Sequence, residues 1–170
     1  RDRARRRELV IATHNVRTMA VDRKHGVGRA VEVLDVYQEM GWDIIGLQET
    51  RRSGQPALLQ AGCVVYCSGE SAGDGEGKKG QGGDGLAVRK SISRAEERPP
   101  EFISDRPLKV TLKLCGRARA VTFIVGYAPT DTQSLGKNNV FWTALERVVK
   151  EVPEHESLML MDANARTARR

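Results

Sequence analysis

Cysteine is scarce: the 170 residues hold three, Cys63, Cys67 and Cys115. The number is odd and no zinc-ligand spacing occurs, which argues against both a disulfide framework and a cysteine-built metal cage. The histidines, His14, His25 and His155, are not grouped with them. Free, reduced, mostly buried thiols are expected, and these suit an intracellular protein. Long hydrophobic runs are missing too. None approaches the roughly 20 residues that cross a bilayer. The opening Arg1-Asp2-Arg3-Ala4-Arg5-Arg6-Arg7 has no apolar stretch behind it, so it does not read as a signal peptide. No initiating Met is present, as expected of a piece of a longer reading frame. No internal repeat and no internal domain boundary stand out. Nucleotide-loop signatures also fail. Gly80-Gln81-Gly82-Gly83-Asp84-Gly85 matches G-x-G-x-x-G, but a strand pattern follows it where a dinucleotide site needs a helix. No Gly-Lys-Ser/Thr occurs, so a P-loop is excluded.

Positive charge is in excess. Lys and Arg number 28 against 22 Asp and Glu, giving a net charge of +6 and a pI of about 9.5. A polyanion is the natural partner, and nucleic acid is the commonest one. Arginines gather at both ends, with Arg166, Arg169 and Arg170 last, so part of the excess is terminal. Basic tails also serve solubility. The length and the 39% hydrophobic content support one domain with a sizeable core. We expect a basic tail over residues 1–7 and the domain over residues 8–170.

Residues 8–14 read as a strand. From Val27, apolar residues recur at helical spacing: Val27, Ala30, Val31, Leu34 and Tyr37, with Gly41 as a stop. Residues 42–48 and 63–67 read as strands. Residues 69–85 are Gly-rich and predict a loop, followed by a strand at Leu86-Ala87-Val88. Residues 91–107 read as a polar connector. Leu108, Val110, Leu112 and Leu114 alternate with Lys109, Thr111 and Lys113, which predicts a strand with one wet face. Residues 120–126 form its paired strand, across a turn at Cys115-Gly116-Arg117. A helix is expected over residues 139–152, with Phe141, Leu145, Val148, Val149 and Val152 on one face and Pro153 ending it. Residues 157–161 are the last strand. Strands and helices in this order predict an α/β (α+β) chain.

Four of these strands end in a polar group. Leu158-Met159-Leu160-Met161 leads into Asp162-Ala163-Asn164. Side chains alternate along a strand, so Asp162 and Asn164 project the same way. At the carboxyl end of a buried strand they face a cleft, where α/β sheets place ligands; an Asx turn closing the strand uses the same residue types. The strand from Leu9 ends in Asn15, that from Asp43 in Glu49, and that from Val121 in Tyr127. Asn, Glu, Tyr and Asp-x-Asn in that order resemble the endonuclease/exonuclease/phosphatase superfamily. The wording THNVRT (13–18), GLQET (46–50), GGDGLAVRK (82–90), GYAPT (126–130) and LMDANAR (160–166) is similar to the RTE-type non-LTR retrotransposon endonucleases. The resemblance spans about residues 9–167.

The resemblance implies two packed mixed β-sheets flanked by helices, a four-layer sandwich left incomplete at its C-terminal end. It implies Mg²⁺- or Mn²⁺-dependent cleavage of a phosphodiester, with nicking of target DNA as the activity. Glu49 would be the metal ligand and Asn15 would orient the metal site. Tyr127 would donate to the phosphate or the nucleophile. Asp162 would align or deprotonate the attacking water, and Asn164 would donate to a non-bridging oxygen. Arg51, Arg52 and the lysines of the Gly-rich loop would track the DNA phosphate backbone. The protein would be a monomer, or part of a polyprotein with a reverse transcriptase, free of membrane and nuclear when acting on DNA. The usual family motif is Gly-Asp-Phe-Asn; Met161 and Ala163 replace its Gly and Phe here. The family's later Asp/Asn and its Ser-Asp-His ending have no counterpart in these 170 residues, and His14 points to the wrong face to replace the histidine. The chain alone is therefore expected to nick DNA poorly. Two other readings stay open: a nucleic-acid-binding remnant without activity, and a phosphatase of small phosphates.

Overall fold

The computed structural model describes residues 8–17, 19, 29–52, 58–68, 83–96, 99–103, 106–115, 117, 119–130, 134–153 and 157–164. The basic tail over residues 1–7, the Gly-rich stretch 69–82 with its lysines, His25, His155 and the closing Arg166, Arg169 and Arg170 lie outside them.

Ten strands and two helices follow one another among these residues. They are β1 (Ile11–Asn15), α1 (Arg29–Glu39), β2 (Ile44–Gln48), β3 (Leu58–Gln60), β4 (Cys63–Cys67), β5 (Gly85–Arg89), β6 (Ser93–Glu96), β7 (Glu101–Phe102), β8 (Leu108–Leu114), β9 (Val121–Tyr127), α2 (Leu135–Glu151) and β10 (Ser157–Asp162). They form two sheets. The first has the order β1-β2-β5-β4-β3; the second has β10-β9-β8-β6, with β7 also on β8. In each sheet one pair is parallel, β1 with β2 and β9 with β10, and the rest are antiparallel. A parallel pair needs a crossover, and α1 and α2 supply the two.

Burial resolves into three apolar layers. Ala30, Leu34 and Tyr37 of α1 pack on Ile45, Leu47, Val65 and Ala87, the outer face of the first sheet. Ile44, Tyr66, Leu86 and Val88 meet Leu108, Val110, Leu112, Phe123 and Val125 between the sheets. Phe141, Leu145 and Val148 of α2 cover Ile124 and Ala128 on the outer face of the second. Helix, sheet, sheet and helix thus stack as the expected four layers. Gly41 ends α1 at φ 75°, a conformation that glycine adopts without a Cβ penalty.

Two expectations need correction. The connector over residues 91–107 contains β6 and β7, short polar strands that pair with β8 and carry no apolar alternation. A third short strand, β3, hydrogen-bonds β4 at the edge of the first sheet. The outer face of β8 is not simply wet: Lys109 is buried, 3.0 Å from Glu101 and 3.6 Å from Glu151 at the end of α2. A buried ammonium is tolerated there because two carboxylates pair with it.

β2 and β10 approach each other closely across the sandwich. A Cβ built on Gly46 would lie 2.5 Å from the Cβ of Leu160, closer than real side chains approach. Glycine at this position lets the two parallel pairs sit face to face. Gly46→Ala is expected to destabilise the fold by about 1–3 kcal/mol through overpacking. Thermal melting checks it; an unchanged midpoint would show that β2 and β10 have room to part.

Candidate active site

The carboxyl ends of the two parallel pairs meet at one end of the sandwich. Asn15 closes β1, Glu49 follows β2, Tyr127 closes β9 and Asp162 closes β10, with Asn164 two residues on. The register places Asn15 opposite Gln48, and Asp162 opposite Tyr127. All five residues singled out from the sequence are therefore brought together.

Asn15 lies at the centre. Its Nδ2 donates to Glu49 Oε1 at 2.8 Å and to Asp162 Oδ2 at 3.2 Å. Its own Oδ1 accepts from the Arg17 backbone N–H at 3.0 Å, which fixes the amide's orientation. One carboxamide thus holds two carboxylates side by side with N–H groups between them, which moderates their repulsion. Asp162 serves two purposes. Its Oδ1 accepts the Asn164 N–H at 3.0 Å, closing an Asx turn, while Oδ2 faces Asn15. The Asx turn forms, and the same carboxylate still turns Oδ2 toward the end of β1. Asn164 Nδ2 donates to the Ala128 carbonyl at 2.6 Å, which ties the motif back to the end of β9.

Tyr127 touches the same group. Burial pushes its phenol above the usual value; a hydrogen bond from Asn164 lowers it, while a hydrogen bond to Glu49 and the charges of Glu49 and Asp162 raise it. The hydroxyl stays protonated at neutral pH and remains a donor. Arg106 lies over the Tyr127 ring, 5.4 Å from its centroid, and reaches the Tyr127 carbonyl at 3.5 Å. Arg51 Nη2 sits 3.6 Å from Glu49 Oε2 at the open rim. Arg52 lies near the buried thiol of Cys67 and lowers its pKa against the larger effect of burial, which leaves it at about 11.

The backbone is unusual here. Of the five non-glycine residues with positive φ among those described, four flank the site: Arg17 at 58°, Glu49 at 55°, Arg51 at 51° and Asn164 at 46°. Such conformations cost on the order of 1–3 kcal/mol each and cluster where the geometry of side chains matters.

His14 is on the opposite face of β1, hydrogen-bonded through Nδ1 to the Tyr37 hydroxyl of α1. It is the one histidine among the described residues and it takes no part in the site. Arg106 and Gln48, which reaches Thr13 and the Leu160 carbonyl, were not anticipated. Arg106 sits in the polar connector, where no pattern marks it. Gln48 could have been found as a polar residue on the inner face of an apolar strand.

The donor set fits a hard cation. Mg²⁺ takes one or two carboxylates and keeps several waters, and Glu49, held by the Asn15 amide, offers one. Among the described residues no cluster of three or more His, Cys, Asp or Glu side chains forms, so they offer no zinc-type cage.

The model of the Endonuclease/Exonuclease/phosphatase family matches residues 12–167. The chain belongs to that family. Solved structures agree on the fold. A humanized D. rerio TDP2 carrying 14 mutations superposes with a TM-score of 0.59 at 16% identity, over 94% of this chain and 68% of that one. The endonuclease domain of TRAS1, a telomere-specific non-LTR retrotransposon, gives 0.58 at 14% identity, over 94% and 61%. The 3′ phosphatase NExo from Neisseria, bound to a product DNA hairpin, gives 0.58 at 19% identity, over 92% and 58%. The chain spans about two thirds or less of the length of these structures. No curated relative matches it. Family members are hydrolases of phosphodiester and phosphate bonds, and the four-layer fold is theirs. No helix among the described residues is long and apolar enough to cross a membrane.

Proposed function

We propose that this chain is part of a metal-dependent phosphodiesterase, a DNA endonuclease of the retrotransposon type. The observation that carries the proposal is the Asn15 amide donating to both Glu49 and Asp162, with Tyr127 and Asn164 alongside. Glu49 would hold a Mg²⁺ or Mn²⁺ ion, and Asn15 would fix the Glu49 carboxylate in place. When bound, the ion neutralises charge that builds on the phosphate during displacement. Asp162 would take a proton from the attacking water. Asn164 and Tyr127 would donate to the phosphate oxygens where the charge develops, each giving up a present bond to do so, Asn164 Nδ2 that to the Ala128 carbonyl and Tyr127 that to Glu49. Arg51 and Arg106 give the rim of the site positive charge suited to the neighbouring phosphates.

DNA is favoured over a small phosphate by the charge of +6 and by the fold shared with a retrotransposon endonuclease. A polyprotein carrying a reverse transcriptase, acting in the nucleus, is the setting this reading implies. The chain by itself is proposed to be a poor nuclease. The test is relaxation of supercoiled plasmid with Mg²⁺ by a chain extended through a Ser-Asp-His segment, in which Asp162→Ala should sharply lower nicking. A chain that instead dephosphorylates small phosphates and leaves plasmid intact would replace the substrate.

Duplex binding is expected to be independent of sequence and to weaken as salt rises. Each phosphate contacted contributes a slope of about −0.9 in log affinity against log salt. Titrating labelled duplex at several salt concentrations checks this; a flat dependence would remove the phosphate backbone as the ligand.

A further inference from the structure

Just inside the sandwich from the three central side chains lies a second polar layer. Gln48 is 1% exposed, among apolar residues of the inner face of β2. Its Nε2 donates to Thr13 Oγ1 at 2.8 Å and to the Leu160 carbonyl at 3.4 Å. Thr13 Oγ1 also lies 3.2 Å from Gln48 Oε1. One buried amide therefore links β1 and β2 of the first sheet to β10 of the second.

Each member of this link lies one or two residues before a residue of the candidate active site. Thr13 is two residues before Asn15 on the same face of β1. Gln48 is one before Glu49. Leu160 is two before Asp162 on the same face of β10. Beneath the link, Gly46 allows the close approach of β2 to Leu160. A buried amide that left this bridge would lose its partners at a cost, so the bridge holds the strands in a defined register across the sandwich.

We infer that Gln48 is a positioning residue: through Thr13 and Leu160 it sets the distance at which Asn15 joins Glu49 to Asp162. The inference rests on the metal reading given above only for its functional consequence. Gln48 touches neither substrate nor metal. Outer partners of this kind orient the groups that do the chemistry, and their loss typically weakens metal binding about 10- to 100-fold.

The experiment uses the 170-residue chain and the variants Gln48→Leu, Thr13→Val and Thr13→Ser. Three quantities are read: the melting temperature, the NMR signals of the Asn15 side-chain amide, and Mn²⁺ affinity by calorimetry. Gln48→Leu and Thr13→Val should shift the Asn15 signals, speed their exchange with solvent and weaken Mn²⁺ at least about tenfold. Thr13→Ser, which keeps the hydroxyl, should match the parent. Asn15 signals unchanged in both Gln48→Leu and Thr13→Val would overturn the inference. So would changes that track only a fall in melting temperature and appear equally in Thr13→Ser. If the parent binds no Mn²⁺ while the Asn15 signals still move, the metal reading fails and the positioning role stands. If the parent binds Mn²⁺ and the Asn15 signals stay still, the positioning role fails and the metal reading stands.

Discussion

Glu49→Gln is expected to remove divalent-metal binding while the protein remains folded. The substitution keeps the shape of the side chain and an oxygen that can accept from Asn15 Nδ2, now 2.8 Å from the carboxylate. It removes the negative charge. What the fold loses is the 3.6 Å contact with Arg51, whose partners are 40% and 21% exposed. An ion pair this open contributes little to stability, about 0–1 kcal/mol. The melting temperature should therefore stay within a few degrees of the parent. Metal affinity behaves differently, because Mg²⁺ relies on one or two carboxylates. With Glu49 neutral, Asp162 is the one acid left among the described residues of the site, and its Oδ1 is already engaged by the Asn164 N–H. Calorimetry with Mg²⁺ or Mn²⁺ is the measurement, with circular dichroism as the control for folding. Unchanged affinity in a folded variant would move the metal away from Glu49.

The site was legible in the sequence because it is built from strand ends. An apolar run identifies each strand, its last residue marks the carboxyl end, and parallel pairing brings two such ends together. Asn15, Glu49, Tyr127 and Asp162 each close or directly follow a run of this kind. Nothing in the order of residues says that Asn15 faces both acids at once; that depends on the sheets packing at Gly46 and Leu160, some 114 residues apart in sequence. Helical spacing made α1 and α2 legible and alternation made β8 legible, whereas their stacking in four layers followed only from the resemblance to the family. Short polar strands were not legible. The side-chain pattern of β6 and β7 resembles that of a loop, and only their pairing with β8 defines them. Lys109 misled for a related reason. A lysine in an alternating strand reads as solvated, whereas here Glu101 and Glu151 reach it from β7 and from α2. Arg106 shows the limit: it lies over Tyr127, yet nothing in the composition of the polar stretch around it marks it.

Supercoiled plasmid is expected to be nicked at least ~10²-fold more slowly by the 170-residue chain than by one extended through a Ser-Asp-His segment. The described site holds two carboxylates, two carboxamides and a phenol. No imidazole is among them, since His14 is turned toward Tyr37 on the other face of β1. A positioned proton-transfer group contributes about 10²–10⁴-fold, and groups that act as a unit lose most of their effect when one is removed. Packing points the same way. Among the described residues β10 pairs with β9 alone, and Leu158 and Met159 are 41% and 46% exposed on it. Asp162 stands at the end of this strand, so its precision depends on an edge with one neighbour. A further strand beside β10 would cover those side chains and stiffen the turn that carries Asp162 and Asn164. In the extended protein, Asp162→Ala should then lower nicking by about 10²–10⁴-fold. Equal nicking by both chains, abolished by Asp162→Ala, would show that the residues described here suffice. Nicking that survives Asp162→Ala in the extended protein would take the proton-accepting role away from Asp162.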